Sequence, residues 1–260
     1  MKENVWVAKG KLNIQAREES GDSILRVQQG CWDYCGYLCS AKGIFGDSLS
    51  GCVKDCGAHR CPNARFTSGR IRTFGRFSVS PSERYSTIRI EAKIKLNSGA
   101  GLWPAFWMLP EEGSRADCSG CGKYGNWPAS GEIDIMETFG SMAGVNGTIH
   151  FGGEGAHAYH TMSTPLTPGY HVYGLEWQAG EMRWYLDGKM YGQAYRARNG
   201  APGWFTPGSA TGPFDVNFHL LLNLAVGGTY TGNVDSTEIS RTLQRGKNMM
   251  QVDFVRVYGR

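Results

Sequence analysis

The sequence predicts an all-β chain made of two packed antiparallel sheets, and three observations carry that prediction. Residues 87–96 alternate apolar and polar side chains without a break, the period of a half-buried antiparallel strand. Asp187-Gly188 is a two-residue turn signal between Met182-Arg183-Trp184-Tyr185-Leu186 and Lys189-Met190-Tyr191, which reads as a hairpin. No helical period persists beyond two turns, apart from a short helix expected at 235–241. The 37 glycines, 10 prolines and 12% aromatic residues suit many short strands joined by turns. Residues 218–226 are almost continuously apolar and read as an inner strand. The fold that follows is a sandwich of two antiparallel sheets.

Between these elements lies Gly131-Glu132-Ile133-Asp134-Ile135-Met136-Glu137, three carboxylates interleaved with apolar residues on what reads as a strand. Like charges in apolar surroundings repel and desolvate poorly, so a strand does not carry three of them without a use. Strand alternation puts Glu132 and Asp134 on one face, with Ile133 and Ile135 on the other. Glu137 has the wrong parity, and one extra residue near Ile135–Met136, a β-bulge, restores it to the face of Glu132 and Asp134. The two glutamates would then stand roughly 13 Å apart at Cα, at ~3.3 Å per strand step. Long side chains leaning together on a concave strand could close the carboxyl separation to the ~5–5.5 Å of retaining glycosidases. Asp134 between them would raise the pKa of at least one neighbour. A surface or metal-binding acidic strand is the alternative on spacing alone.

The surrounding runs resemble a known family. In order they are Gly101-Leu102-Trp103-Pro104-Ala105-Phe106-Trp107-Met108-Leu109-Pro110, Trp127-Pro128-Ala129-Ser130-Gly131 leading into Glu132, Thr148-Ile149-His150-Phe151-Gly152-Gly153, Val172-Tyr173-Gly174-Leu175-Glu176-Trp177, Asn223-Leu224-Ala225-Val226-Gly227-Gly228 and Val252-Asp253-Phe254-Val255-Arg256-Val257-Tyr258. Together they resemble glycoside hydrolase family 16, in its laminarinase-like branch of endo-β-1,3-glucanases, over about residues 65–258 and more weakly 4–17. The resemblance implies a jelly-roll β-sandwich with a substrate cleft across its concave face. It implies Glu132 as nucleophile, Glu137 as general acid and then base, and Asp134 as the residue that tunes and orients the pair. It places Trp103 and Trp127 in the cleft and His150 on a strand beside the catalytic one, and it matches Arg89 to a substrate arginine, although Thr87 and Ile88 before it break the family's Tyr-Gly-Arg pattern. Trp107 and Trp184 are expected nearer the core. No cofactor is required. A structural calcium on the convex side is possible, with Asp253 as a ligand in an oxygen-rich shell.

On this reading residues 1–260 form one catalytic domain, a length that a single β-sandwich can reach, with a cysteine-rich insertion at about 31–63. Cys31, Cys35, Cys39, Cys52, Cys56 and Cys61 lie in that insertion, and Cys118 and Cys121 form a separate CxxC. Disulfides or zinc, with His59 as a further ligand, are the two readings of such clusters. Disulfides imply an oxidising compartment, and glucan degradation implies a secreted, extracellular protein. The first residues lack the apolar stretch of a signal peptide. The N-terminal strand that relatives pair with the chain's end is expected to be missing, leaving an open sheet edge. The expected partner is a polysaccharide, a β-glucan, bound by a monomer. A net charge of +4 gives no argument for nucleic acid, and no apolar run approaches a membrane span. Asn146-Gly147-Thr148 is an N-glycosylation sequon.

Overall fold

A computed structural model describes residues 2–20, 65–112, 122–140, 143–153, 156–198 and 202–260. All eight cysteines and His59 lie outside them, and with them the disulfide and zinc readings. Sixteen strands run along the described chain: β1 (Val5–Ala8), β2 (Lys11–Gln15), β3 (Arg17–Glu18), β4 (Phe66–Thr67), β5 (Arg70–Arg72), β6 (Ser78–Val79), β7 (Thr87–Asn97) and β8 (Leu102–Pro110) in the first half. The second half holds β9 (Glu132–Glu137), β10 (Gly144–Gly153), β11 (Ala156–Pro165), β12 (Tyr170–Gln178), β13 (Glu181–Leu186), β14 (Lys189–Tyr195), β15 (Phe218–Val226) and β16 (Met249–Gly259). One α-helix, α1 (Ser236–Gln244), falls where the short helix was expected, and Asp235 caps it by accepting from the backbone N–H of Thr237 and Glu238. No helix among the described residues is long and apolar enough to cross a membrane.

Two antiparallel sheets stack face to face. The first runs β1-β2-β16-β7-β12-β13-β14; the second runs β11-β10-β9-β8-β15-β5, with β6 also on β15. In β7 the alternation read from the sequence becomes packing: Ile88, Ile90, Ala92, Ile94 and Leu96 point into the core, and the polar residues between them face out. β15 is an inner strand between β8 and β5, as its apolar run requires. Asp187 and Gly188 both adopt positive φ, 50° and 79°, which a two-residue hairpin turn of this twist needs. Trp177 and Trp184 of the first sheet are fully buried, and Trp177 meets Phe218 of the second edge-on at 5.6 Å. Burying a side chain of this class contributes roughly 1.5–3 kcal/mol.

The second sheet carries the bulge. β8 pairs Phe106 with Met136 and Trp107 with Asp134, so Ile135 has no counterpart; β10 pairs Asn146 with Glu137 and Thr148 with Asp134. The extra residue stands where strand parity required it. The core supports it from behind, where the Trp184 indole N–H donates to the Asp134 carbonyl at 2.8 Å. A Cβ at Gly147 of β10 would overlap that indole, so only glycine fits there. The sequon around Gly147 is thus built into the middle of a strand that is paired on both sides.

Three expectations change here. The N-terminal segment does supply a strand at the chain's end: β2 pairs with β16, Ile14 facing Met250, and β1 becomes the outer strand of that sheet. Arg89 sits on the outward face of β7, in the sheet away from the cleft. Its guanidinium bonds Glu91 at 2.7 Å and Glu176 at 3.1 Å and lies over the Tyr185 ring, so its charge is used between strands. Asp253 does not present a calcium shell. Lys11 Nζ holds one of its oxygens at 2.8 Å and Lys93 Nζ the other at 2.9 Å, and these bonds hold its pKa at about 2. Two ammonium groups occupy the place where a cation would need oxygen ligands.

A chelator should therefore leave the melting temperature unchanged, while Asp253→Asn lowers it at neutral pH. The depressed carboxylate pKa places that stabilisation above about pH 4, with loss as the pH falls toward 2. A calcium-dependent rise in melting temperature would overturn this account of Asp253.

Candidate active site

The bulged strand β9 aims Glu132, Asp134 and Glu137 at the open face of the second sheet. Each is held by a partner from a different part of the chain. Trp127, on the turn before the strand, donates its indole N–H to Glu132 Oε2 at 2.9 Å. Trp103 of β8 donates its own to Glu137 Oε1 at 2.8 Å. His150 of β10 places Nε2 3.3 Å from Asp134 Oδ2 and 3.9 Å from Glu132 Oε1. Glu132, Asp134 and His150 bring one ligating atom each within 4.8 Å of one another, the single grouping of this kind among the described residues.

Burial decides the electrostatics. Asp134 is 1% exposed, Glu137 7% and the Glu132 side chain 16%. Desolvation pushes Asp134 well above the ordinary carboxylate range, and the neighbouring Glu137 charge adds to it. Glu132 is also raised well above its usual value, first by burial and then by Asp134, against the opposing pull of His150 and the Trp127 bond. Glu137 is raised by burial and pulled back by Trp103 and His150. All three shifts run in the same direction, toward the protonated form that lets a carboxylic acid act as a proton donor.

Two cavities meet at the carboxylates, sharing Trp103, Glu132 and Glu137. One is lined on its far side by Arg70, Trp107 and Asn223; the other by Trp127, Phe139, His150, Tyr159 and Tyr230. They form a continuous cleft with glutamates at its middle. Trp107, expected nearer the core, is half-buried in the cleft wall: its indole donates to Asn223 Oδ1 at 2.6 Å, and Arg70 lies 4.9 Å above its ring. Burial holds the Arg70 pKa down, with Arg72 adding to this, while the Glu132 charge counters it. Trp103 packs against Phe139 at 5.2 Å and Tyr230 at 5.1 Å, forming an aromatic wall with the Tyr230 ring 63% exposed. The sequence reading found Trp103, Trp127, His150 and the three acids. It did not single out Arg70, Asn223, Phe139 or Tyr230.

A second loop fixes the turn that carries Trp127. Asp215 accepts from the Tyr124 hydroxyl at 2.7 Å and the Thr211 hydroxyl at 2.6 Å, with Lys123 Nζ at 3.5 Å. Burial alone would raise its pKa, but the bonds from Thr211 and Tyr124 outweigh this and keep it ionised. Gly131, at φ 85°, lets the chain turn into Glu132; a Cβ there would stand 2.8 Å from the Phe214 ring of the same second loop. Tyr124 and Gly131 thus tie both ends of the Trp127 turn to residues 209–215.

The model of glycosyl hydrolases family 16 matches residues 57–214. The chain belongs to that family. Within it, the glucan endo-1,3-beta-glucosidase A1 of Niallia circulans is 37% identical over 208 residues, 75% of this chain and 26% of that protein. The beta-1,3-glucan-binding protein of Penaeus monodon is 34% identical over 227 residues, 78% of this chain and 58% of that protein. The X-ray structure of endo-beta-1,3-glucanase from Pyrococcus furiosus superposes with a TM-score of 0.65 at 30% identity, covering 100% of this chain and 78% of that one. This family 16 chain therefore spans about a quarter of the first relative and somewhat over half of the second.

The electrostatics give a direct test on this family 16 site. A carboxyl raised in the fold stabilises fully below its unfolded pKa and loses that stability as pH rises through the folded pKa. Asp134→Asn should raise the melting temperature at pH 7–8, with the gain over wild type closing near about pH 4. A gain that grows as the pH falls would contradict the raised Asp134 pKa.

Proposed function

We propose that the chain is a retaining endo-glycoside hydrolase acting on β-1,3-glucan, with mixed β-1,3/1,4-glucan as a second candidate substrate. The observation that carries this reading is the convergence of Glu132, Asp134 and Glu137, poorly solvated, at the middle of an open aromatic cleft. Glucan is neutral, so the cleft needs stacking faces for sugar rings and hydrogen-bonding groups for hydroxyls more than it needs charge. Trp103, Trp127 and Tyr230 offer such faces, and Asn223, Arg70 and His150 offer the polar groups.

In the first step Glu132 attacks the anomeric carbon while protonated Glu137 gives its proton to the leaving glycosidic oxygen. This forms a glycosyl ester on Glu132. In the second step Glu137, now ionised, takes a proton from water, which displaces Glu132 and restores both groups. The pKa direction is the same for the two glutamates, so this division of labour follows their order in the family motif. Trp127 steadies Glu132 as it gains and loses charge, and Trp103 does so for Glu137. Asp134, whose burial favours the neutral form, limits the negative charge that builds up between the glutamates. Polymer degradation of this kind fits a secreted protein.

The Penaeus monodon relative's name favours a second reading, a module that binds β-1,3-glucan without cutting it. Such a module has no use for three desolvated carboxyls, whose burial costs stability. Incubation with laminarin, and with lichenan in parallel, separates the two. Hydrolysis predicts short oligosaccharides released with retained anomeric configuration, and a fall in kcat of about 10³-fold or more in Glu132→Gln or Glu137→Gln, with the fold intact. Full activity in either variant would contradict the assigned roles. Binding of laminarin without cleavage by the folded wild type would establish the recognition module instead.

A further inference from the structure

The cleft has an aromatic path leading out of it that catalysis at β9 does not require. The Trp127 ring lies 5.6 Å from the His150 ring, and His150 lies 6.1 Å from Tyr159 on the edge strand β11. Tyr159 is 65% exposed and borders two hollows at once: the cleft on one side and, on the other, a groove between β11 and β14 at the lateral edge of the sandwich. The His160 ring and the Gln193 carbonyl meet 3.2 Å apart across that edge and join the two sheets.

The chemistry of the groove is that of a sugar site. Its floor is apolar, made of Ile149, Phe151, Ala194 and Trp204, all buried. Its rim is exposed and mixed: the Tyr195 ring is 44% exposed, beside the Gln193 side chain and the His160 imidazole. Rings for the C–H faces of a pyranose, next to an amide that both donates and accepts for its hydroxyls, are the groups a neutral polysaccharide requires. The groove has no pair of acids and so no means of cutting.

We propose that a glucan chain held in the cleft continues over Tyr159 into this edge groove, where Tyr195 and Gln193 bind it as a non-catalytic extension. The inference rests on the polysaccharide reading of the cleft and adds a length requirement to it. A chain long enough to reach the groove gains contacts that a short one cannot make, so long substrates bind more tightly with no change at the carboxylates.

The test is the binding of laminaritriose and of laminarin to the Glu132→Gln protein, which holds glucan without turning it over, by titration calorimetry. Laminarin should bind the more tightly, per chain. Tyr195→Ala in the same background should weaken laminarin about three- to tenfold, the worth of one ring contact, and leave the trisaccharide affinity as the reference. Gln193→Leu, a change at an exposed side chain, should narrow the same ratio. Equal loss for both ligands, or no loss for laminarin in either variant, would overturn the extension while leaving the cleft reading intact. Failure of both ligands to bind the folded parent would overturn the cleft reading, and the extension with it.

Discussion

Everything at the open face of this sandwich answers one constraint: three carboxyl groups leave a single six-residue strand for the same poorly solvated hollow. In water, three acids so close would all ionise and repel weakly. Here desolvation dominates and moves all three pKa values upward, toward the protonated forms. Each nearby polar group then has a definite task. The two indole N–H groups bond the outer glutamates, His150 faces the inner aspartate, and Trp184 satisfies the backbone carbonyl at the bulge from the core side.

The bulge couples this chemistry to the fold. Without Ile135 as an extra residue, strand parity would send Glu137 into a core packed with isoleucine, methionine and tryptophan, where a carboxyl has no partner. The bulge in turn needs a glycine at position 147 so that Trp184 can reach Asp134, and a glycine at 131 so that the chain can turn under the Phe214 ring. The first sheet carries none of the three acids. Its exposed face is held by ordinary ion pairs: Arg89 with Glu91 along one strand, and Arg89 with Glu176 and Lys11 and Lys93 with Asp253 across strands. Chemistry and mechanical support thus lie on opposite sides of one core.

What could be read from the sequence depended on how local the signal was. Period-2 alternation in β7, the Asp187-Gly188 turn and the parity argument for the bulge need only neighbours along the chain, and all three appear in the structure. The three acids and Trp103, Trp127 and His150 sit in or beside strands next to β9, so their convergence was also accessible. Arg70 was not, because it comes from a three-residue strand whose place beside Trp107 is set by pairing with β15, some 150 residues away. Tyr230 lies just after β15 and reaches Trp103 only through the sheet. Arg89 failed for a different reason: alternation puts it on one of two faces but does not say which sheet faces the cleft. Asp253 failed because nothing local shows that lysines from two other strands will claim both of its oxygens.

The central claim is that Glu132 is the group that bonds covalently to sugar. Mass spectrometry after treatment with a slow 2-fluoro-glucosyl substrate of β-1,3 linkage tests it most directly, because such a substrate accumulates the intermediate. The account predicts one adduct per chain, on the peptide that carries residues 131–137, with fragmentation placing the sugar on Glu132. An adduct on Glu137 or Asp134 would contradict it.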